Sequence, residues 1–297
     1  MLRPRHRIET SALRLPNLLP MLVLAVALLI GAGVSPAEAR KSDLELTWHK
    51  GYMALPDAAG GGISFLSDEG RLDRLAATGR KFPVVIYMHG CTGLGDVDRA
   101  LMRRIAKAGY VVVAPNSMAR SWRPPQCDSW NKRGYDNYFV FDFRQAEINY
   151  AARMMFTLPW ADTDYLFLAG TSEGGLATAH YRGDVFKARV ITQWTCHGSS
   201  WVRGISGPED TPILAVVRRN DPWNADNPEQ RGDCGAYFGD RRPGSESIVL
   251  EEGSRHEVIG DEAVIERIVS FLLGFTRFKP PPPPPAPKPD WNAMPLR

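Results

Sequence analysis

Short apolar runs separated by stretches of helical period constrain this chain more than any other feature. Pro83-Val84-Val85-Ile86-Tyr87-Met88, Tyr110–Ala114, Tyr165–Ala169, Arg189–Trp194, Ile213–Val217 and Ser247–Leu250 each read as a buried strand. Helical spacing runs from about Asp96 to Ala108, where Leu101, Ile105 and Ala108 share a face, and again over 141–158 and 261–273. Strands that alternate with helices build a mostly parallel sheet covered by helices. The expected fold class is therefore α/β, in a single domain spanning about 40–278.

The two ends of the chain read differently from this domain. Arg3, Arg5, Arg7 and Arg14 precede an apolar run from Leu18 to about Val34, and Ala37-Glu38-Ala39 follows. Basic, apolar and small residues in that order predict a secretory signal peptide over 1–39. Membrane association is expected only if this segment stays uncleaved. A spanning helix needs about 20 apolar residues, and Pro20 interrupts the run. The mature protein is thus expected to be periplasmic or secreted. At the other end, Pro280–Pro285 is an unbroken proline run. Proline lacks a backbone donor and favours an extended chain, so 279–297 is expected to be an unpacked tail with no assignable partner.

Charge narrows the function classes. The 297 residues carry a formal net charge of +3, with no long basic run after the leader, so nothing marks a nucleic-acid partner. Cys91, Cys127, Cys196 and Cys234 show no Cys-x-x-Cys spacing, which leaves zinc and thioredoxin-like chemistry without support. In an exported protein they are disulfide candidates. The pairing expected from loop placement is Cys234 with Cys196 or Cys127, leaving Cys91 as a free thiol.

The sequence places its chemistry at strand ends. Gly170-Thr171-Ser172-Glu173-Gly174-Gly175 directly follows the strand ending at Ala169 and precedes a short helical stretch. G-x-S-x-G in that setting is a nucleophile elbow, where glycines relieve crowding around a serine on a strained turn. A serine hydroxyl needs a base. Of the downstream histidines, His180 falls in the short helix at a position expected to be solvated, and His197 precedes every plausible acid. His256 follows the last strand and is the expected base. Asp221, just past the strand Ile213–Val217, is the expected acid that orients it. The oxyanion donors are expected from the backbone N–H groups of Glu173 and of Cys91, within His89-Gly90-Cys91-Thr92-Gly93. The His89 ring is expected to be a structural hydrogen-bonder.

A long irregular stretch from Pro115 to Tyr138 leaves the sheet at the carboxyl edge of its strands, where open α/β sheets place ligands. It reads either as a lid or as a packed excursion pinned by Cys127. Trp122, Trp194 and Trp223, with Trp130 beside them, are candidates for an apolar substrate pocket.

On the stretches Val84–Gly93, Gly170–Gly175, Asn220-Asp221-Pro222 and His256, the chain resembles the α/β-hydrolase superfamily, and within it the dienelactone-hydrolase-like branch. The resemblance covers roughly 81–273. It implies a sheet of about eight strands, an acyl-enzyme mechanism and no cofactor or metal. Dienelactone hydrolases carry cysteine at the elbow, whereas this chain has Ser172, so ester hydrolysis is the expectation rather than dienelactone hydrolysis. Lactones and thioesters are related possibilities. A peptidase on the same scaffold and a non-catalytic exported binding protein are the alternatives.

Overall fold

A sheet buried on both faces organises the molecule. The computed structural model describes residues 41–135, 137–198, 202–225, 228–239 and 242–276. The predicted leader and proline-rich tail lie outside them. The described residues from Lys41 onward belong to one compact unit. Its strands run β1 (Tyr52–Ala54), β2 (Ile63–Phe65), β3 (Phe82–Met88), β4 (Val111–Ala114), β7 (Ala161–Thr171), β8 (Ala188–Thr192), β9 (Ile213–Arg218) and β10 (Glu246–Leu250). They form an eight-stranded sheet in the order β10-β9-β8-β7-β3-β4-β1-β2. Pairing from β10 through β4 is parallel throughout, and β1 joins β4 and β2 antiparallel. A separate hairpin pairs β5 (Cys127–Asp128) with β6 (Arg133–Gly134).

Alternation along the strands divides the core. Val85 and Tyr87 face one layer with Leu101, Ile105, Ile265 and Phe271. Those last four come from α3 (Asp96–Lys107) and α6 (Glu262–Gly274). Val84, Ile86 and Met88 face the opposite layer with Trp48, Leu75 and Ile148. These come from α1 (Asp43–His49), α2 (Glu69–Ala77) and α4 (Tyr138–Thr157). Every residue of β3 is buried, as expected of a parallel strand covered on both sides.

The predicted strands and helices correspond to observed elements, with β7 extended upstream to Ala161. The sequence reading missed β1, β2, α1 and α2. The first two are three-residue strands, too short to show alternation. The helix α1 does carry a legible signal, a capping box between Ser42 and Glu45.

The cysteine expectation needs correcting. Cys234 pairs with Cys196, but Cys91 is not free: it pairs with Cys127. The cause is topological. Strands β3 and β4 are parallel neighbours, so the loops leaving their carboxyl ends meet, and the 115–137 excursion folds back over Cys91.

Candidate active site

Six adjacent parallel strands, β10 through β4, deliver their trailing loops to one edge of the sheet, and these loops carry the candidate residues. The turn after β7 is sharpest. Ser172 has φ 54° and ψ −118°, a conformation that costs a non-glycine residue of order 1–3 kcal/mol. The glycines around it are needed for space. A Cβ on Gly170 would lie 2.1 Å from the Gly174 carbonyl oxygen, and one on Gly174 would lie 2.0 Å from that of Met88. On Gly175 it would stand 2.6 Å from the Thr192 oxygen. Strand β7, helix α5 (Glu173–Ala179) and strands β3 and β8 thus approach too closely for any side chain.

Ser172, His256 and Asp221 form one hydrogen-bonded chain. Ser172 Oγ donates to His256 Nε2 at 3.0 Å, and His256 Nδ1 donates to Asp221 Oδ2 at 2.6 Å. Asp221 is 4% exposed. Its second oxygen accepts the Trp223 N–H at 2.9 Å, so the carboxylate cannot rotate freely. The loop that carries His256 is stapled to the strand that leads to Asp221. Arg218, on β9, donates to the Glu252 carbonyl and pairs with Asp261 at 2.6 Å. Gln193, just past β8, accepts the Val258 N–H at 3.3 Å.

Cys91 and Glu173 flank Ser172 along a cavity of about 310 Å³ that also involves Leu176, Trp194, Val202 and Trp223. Glu173 is the first residue of α5, where a backbone N–H has no intrahelical acceptor. A second cavity of about 300 Å³ shares Cys91, Ser172, Trp223 and His256 with the first and extends past Thr92, Ser129, Lys132 and Glu257. Residues of the 115–137 segment wall both cavities: Gln126 and Cys127 the first, Ser129 and Lys132 the second.

The Trp expectations divide. Trp194 and Trp223 line the first cavity, and the Trp223 ring lies 5.2 Å from that of His256. Trp122 does not belong to it. It is 59% exposed and packs edge-on against Phe139 and Phe143 of α4. Trp130 sits at the hairpin tip, 90% exposed. The position of His180 was also misjudged. It is buried rather than solvated, and its Nε2–H donates at 2.7 Å to the carbonyl of Val202, 22 residues further along the chain. Burial holds its pKa below the ordinary 6.5.

His89 accepts the Ser117 N–H at Nε2, 3.0 Å away, and donates from Nδ1 to the Gly90 carbonyl at 2.7 Å. Burial, reinforced by the Arg144 guanidinium, drives its pKa well below 6.5, so it is a neutral structural ring.

The sequence reading overlooked a buried charge cluster behind the elbow. Glu173 Oε1 accepts from Arg123 Nη2 at 2.5 Å and lies 3.3 Å from Arg144 Nε. Arg144 also donates to the His89 carbonyl and pairs with Glu147 at 3.3 Å. Glu147 in turn accepts from Arg120 Nε at 2.7 Å and from Ser117 Oγ at 3.0 Å. The available signal was a charged pair, Arg144 and Glu147, on the α4 stripe that also holds Val140, Ile148 and Ala151.

No group of His, Cys, Asp and Glu among the described residues has the arrangement of a metal site. Among these residues, no helix is long and apolar enough to cross a membrane.

No family model matches the sequence, and no curated protein is significantly similar to it. Similar solved structures include a hyperthermophilic esterase from Pyrobaculum calidifontis, at 15% identity and TM-score 0.44, over 66% of this chain and 79% of that one. Another is a putative dienelactone hydrolase from Klebsiella pneumoniae, at 18% and 0.43, over 65% and 88%. The dipeptidyl peptidase 4 of Porphyromonas gingivalis matches at 16% and 0.44, over 67% of this chain and 32% of its own length. The sheet order, its antiparallel start and the glycine-crowded serine turn between β7 and α5 give the chain the α/β-hydrolase fold.

Proposed function

We propose that the protein is an exported serine hydrolase that cleaves carboxylic esters through an acyl-enzyme intermediate. The observation that carries this reading is the Ser172–His256–Asp221 chain, with Nε2 of the imidazole 3.0 Å from the serine oxygen. Ser172 Oγ attacks the carbonyl carbon while its proton passes to His256 Nε2. Asp221 holds the imidazole with its proton on Nδ1 and stabilises the imidazolium. The backbone N–H groups of Cys91 and Glu173 receive the charge that develops on the carbonyl oxygen. Collapse breaks the ester C–O bond, and the imidazolium gives its proton to the departing alkoxide. Water then attacks the acyl group by the same route and frees the acid.

Two cavities that meet at Ser172 suit an ester with a substantial group on each side of its carbonyl. The first cavity carries Leu176, Trp194, Val202 and Trp223 and favours an apolar or aromatic arm. The second adds Val97 and Ile259 to Thr92, Ser129, Lys132 and Glu257, a mixed lining that selects neither a polar nor an apolar arm. Export is supported by the two disulfides, which persist in oxidising compartments.

Labelling of the purified protein with a fluorophosphonate probe tests the reading without a guess at substrate. Wild type should label and Ser172→Ala should not. A folded wild type that stays unlabelled would remove the catalytic reading and leave a binding protein in its place.

A further inference from the structure

We propose that the 115–137 segment is a strap that positions both oxyanion donors, with Arg123 and the Cys91–Cys127 disulfide as its positioning groups. The inference rests on the serine-hydrolase reading above. The segment leaves β4, walls both cavities and returns into α4. It is tied down at two points beside the serine. Cys127 is bonded to Cys91, the residue whose N–H is one donor. Arg123 is bonded to Glu173, the residue whose N–H is the other, at 2.5 Å. Both ties therefore end on side chains of the two donor residues.

A third group works from beneath. Arg144 reaches the Glu173 carboxylate and the carbonyl of His89, two residues before Cys91. One guanidinium thus spans the two donor loops. Arg123 is itself braced, because its Nε donates to Ser117 Oγ at 3.1 Å and Ser117 Oγ donates to Glu147. The side chains of Arg123, Arg144, Glu147 and Glu173 are all at most 8% exposed. Burying so much charge is a poor route to stability, since apolar residues of equal volume do as well. What a planar guanidinium fork adds is direction. Direction is what an oxyanion hole requires, because donors must stand about 2.7–3.1 Å from the developing charge.

The test is ester hydrolysis by the full chain, expressed per active site titrated with fluorophosphonate. It is paired with inhibition by a trifluoromethyl ketone, whose serine adduct carries the oxyanion. Arg123→Met and the double variant Cys91→Ala/Cys127→Ala should each lower kcat about ten- to a hundredfold, the scale of an ångström of misplacement. KM should stay within about threefold, and affinity for the ketone should fall by the same factor as kcat. Arg123→Lys keeps a positive charge beside Glu173 but loses the fork that also reaches Ser117, so it should recover little of the rate.

A tie that serves only folding would lower the melting temperature and the number of titrated sites, leaving kcat per site unchanged. That result overturns the proposal. Should the substituted chains fail to fold, brief mild reduction of the wild type gives the same readout. The half-buried Cys91–Cys127 pair is open to thiols, whereas Cys196 and Cys234 are fully buried. An unchanged kcat per site after that reduction also overturns it. A wild type that neither labels nor hydrolyses esters removes the serine-hydrolase reading and the strap with it. An active wild type with unaffected variants removes only the strap.

Discussion

Replacing Asp221 by Asn exchanges one oxygen for an amide nitrogen at nearly constant volume, and its consequence can be followed atom by atom. In the native site Oδ1 accepts the Trp223 N–H at 2.9 Å and Oδ2 accepts from His256 Nδ1 at 2.6 Å. The asparagine must keep its oxygen toward Trp223, because its NH2 group there would face another donor. That NH2 then points at His256 Nδ1, which has to present a lone pair, so the ring carries its proton on Nε2. A protonated Nε2, 3.0 Å from Ser172 Oγ, donates where it should accept, and the serine has no base. The expected loss in kcat is about 10³- to 10⁴-fold. That corresponds to ~4–5.5 kcal/mol on the barrier, at about 1.4 kcal/mol per decade. Packing and hydrogen-bond count are conserved, so the melting temperature should move by only a few degrees. The assay is hydrolysis of an activated ester at neutral pH, alongside the rate of fluorophosphonate labelling, which should fall in parallel. A folded Asp221→Asn chain that retains a tenth or more of the wild-type kcat would refute the assignment of Asp221 as the group that sets the tautomer.

The backbone crowding at the elbow gives a stability prediction. A Cβ at position 174 would stand 2.0 Å from the Met88 carbonyl oxygen, so Gly174→Ala should cost ~3 kcal/mol or more in denaturant unfolding; a variant as stable as the parent would mean the elbow can open. A second prediction concerns acid. Burial lowers the pKa of both His89 and His180, so the unfolded chain takes up protons that the folded one refuses. Their contribution is complete above pH ~6.5 and is lost as pH falls below it, at up to about 1.4 kcal/mol per unit for each ring. Burial raises the pKa of Asp98 and acts in the opposite sense, in the carboxylate range. Urea midpoints that do not fall between pH 7.5 and 5.5 would contradict the buried, neutral assignment of the two rings.

The parts of this architecture that a sequence can announce are those set by local pattern. The apolar runs of β3, β7 and β9 mark covered parallel strands; Ser172 follows β7 directly, and Asp221 comes shortly after β9. His256 was accessible by chain order alone, as the one histidine beyond the last strand. What stayed hidden depends on which loops meet. Nothing local says that the excursion after β4 lies against the loop after β3, so the Cys91–Cys127 bond could not be read. Likewise Trp122 sits in the right segment but turns toward α4, a choice made by Phe139 and Phe143. His180 looks like a helix-end surface residue, and only its hydrogen bond to Val202, 22 residues away, shows otherwise. Arg144 and Glu147 are charged residues on an apolar stripe, and such a breach of pattern is where a buried network should have been sought.

The wide spacing of Ser172, Asp221 and His256 along the chain has a consequence for synthesis. Strand β3 cannot pair on its inner side until β7 arrives, since Tyr87 lies opposite Ala169. Ser172 meets His256 only after a further 84 residues have been added. Parallel pairing over such separations is slow to form. On the proposed reading, a chain emerging from the ribosome is inert until the loop beyond β10 has appeared, and an unfinished copy has no hydrolytic chemistry to turn on its surroundings. Turnover is consequently a stringent reporter of complete folding, because it counts only molecules in which β7, β9 and the loop beyond β10 have all come together.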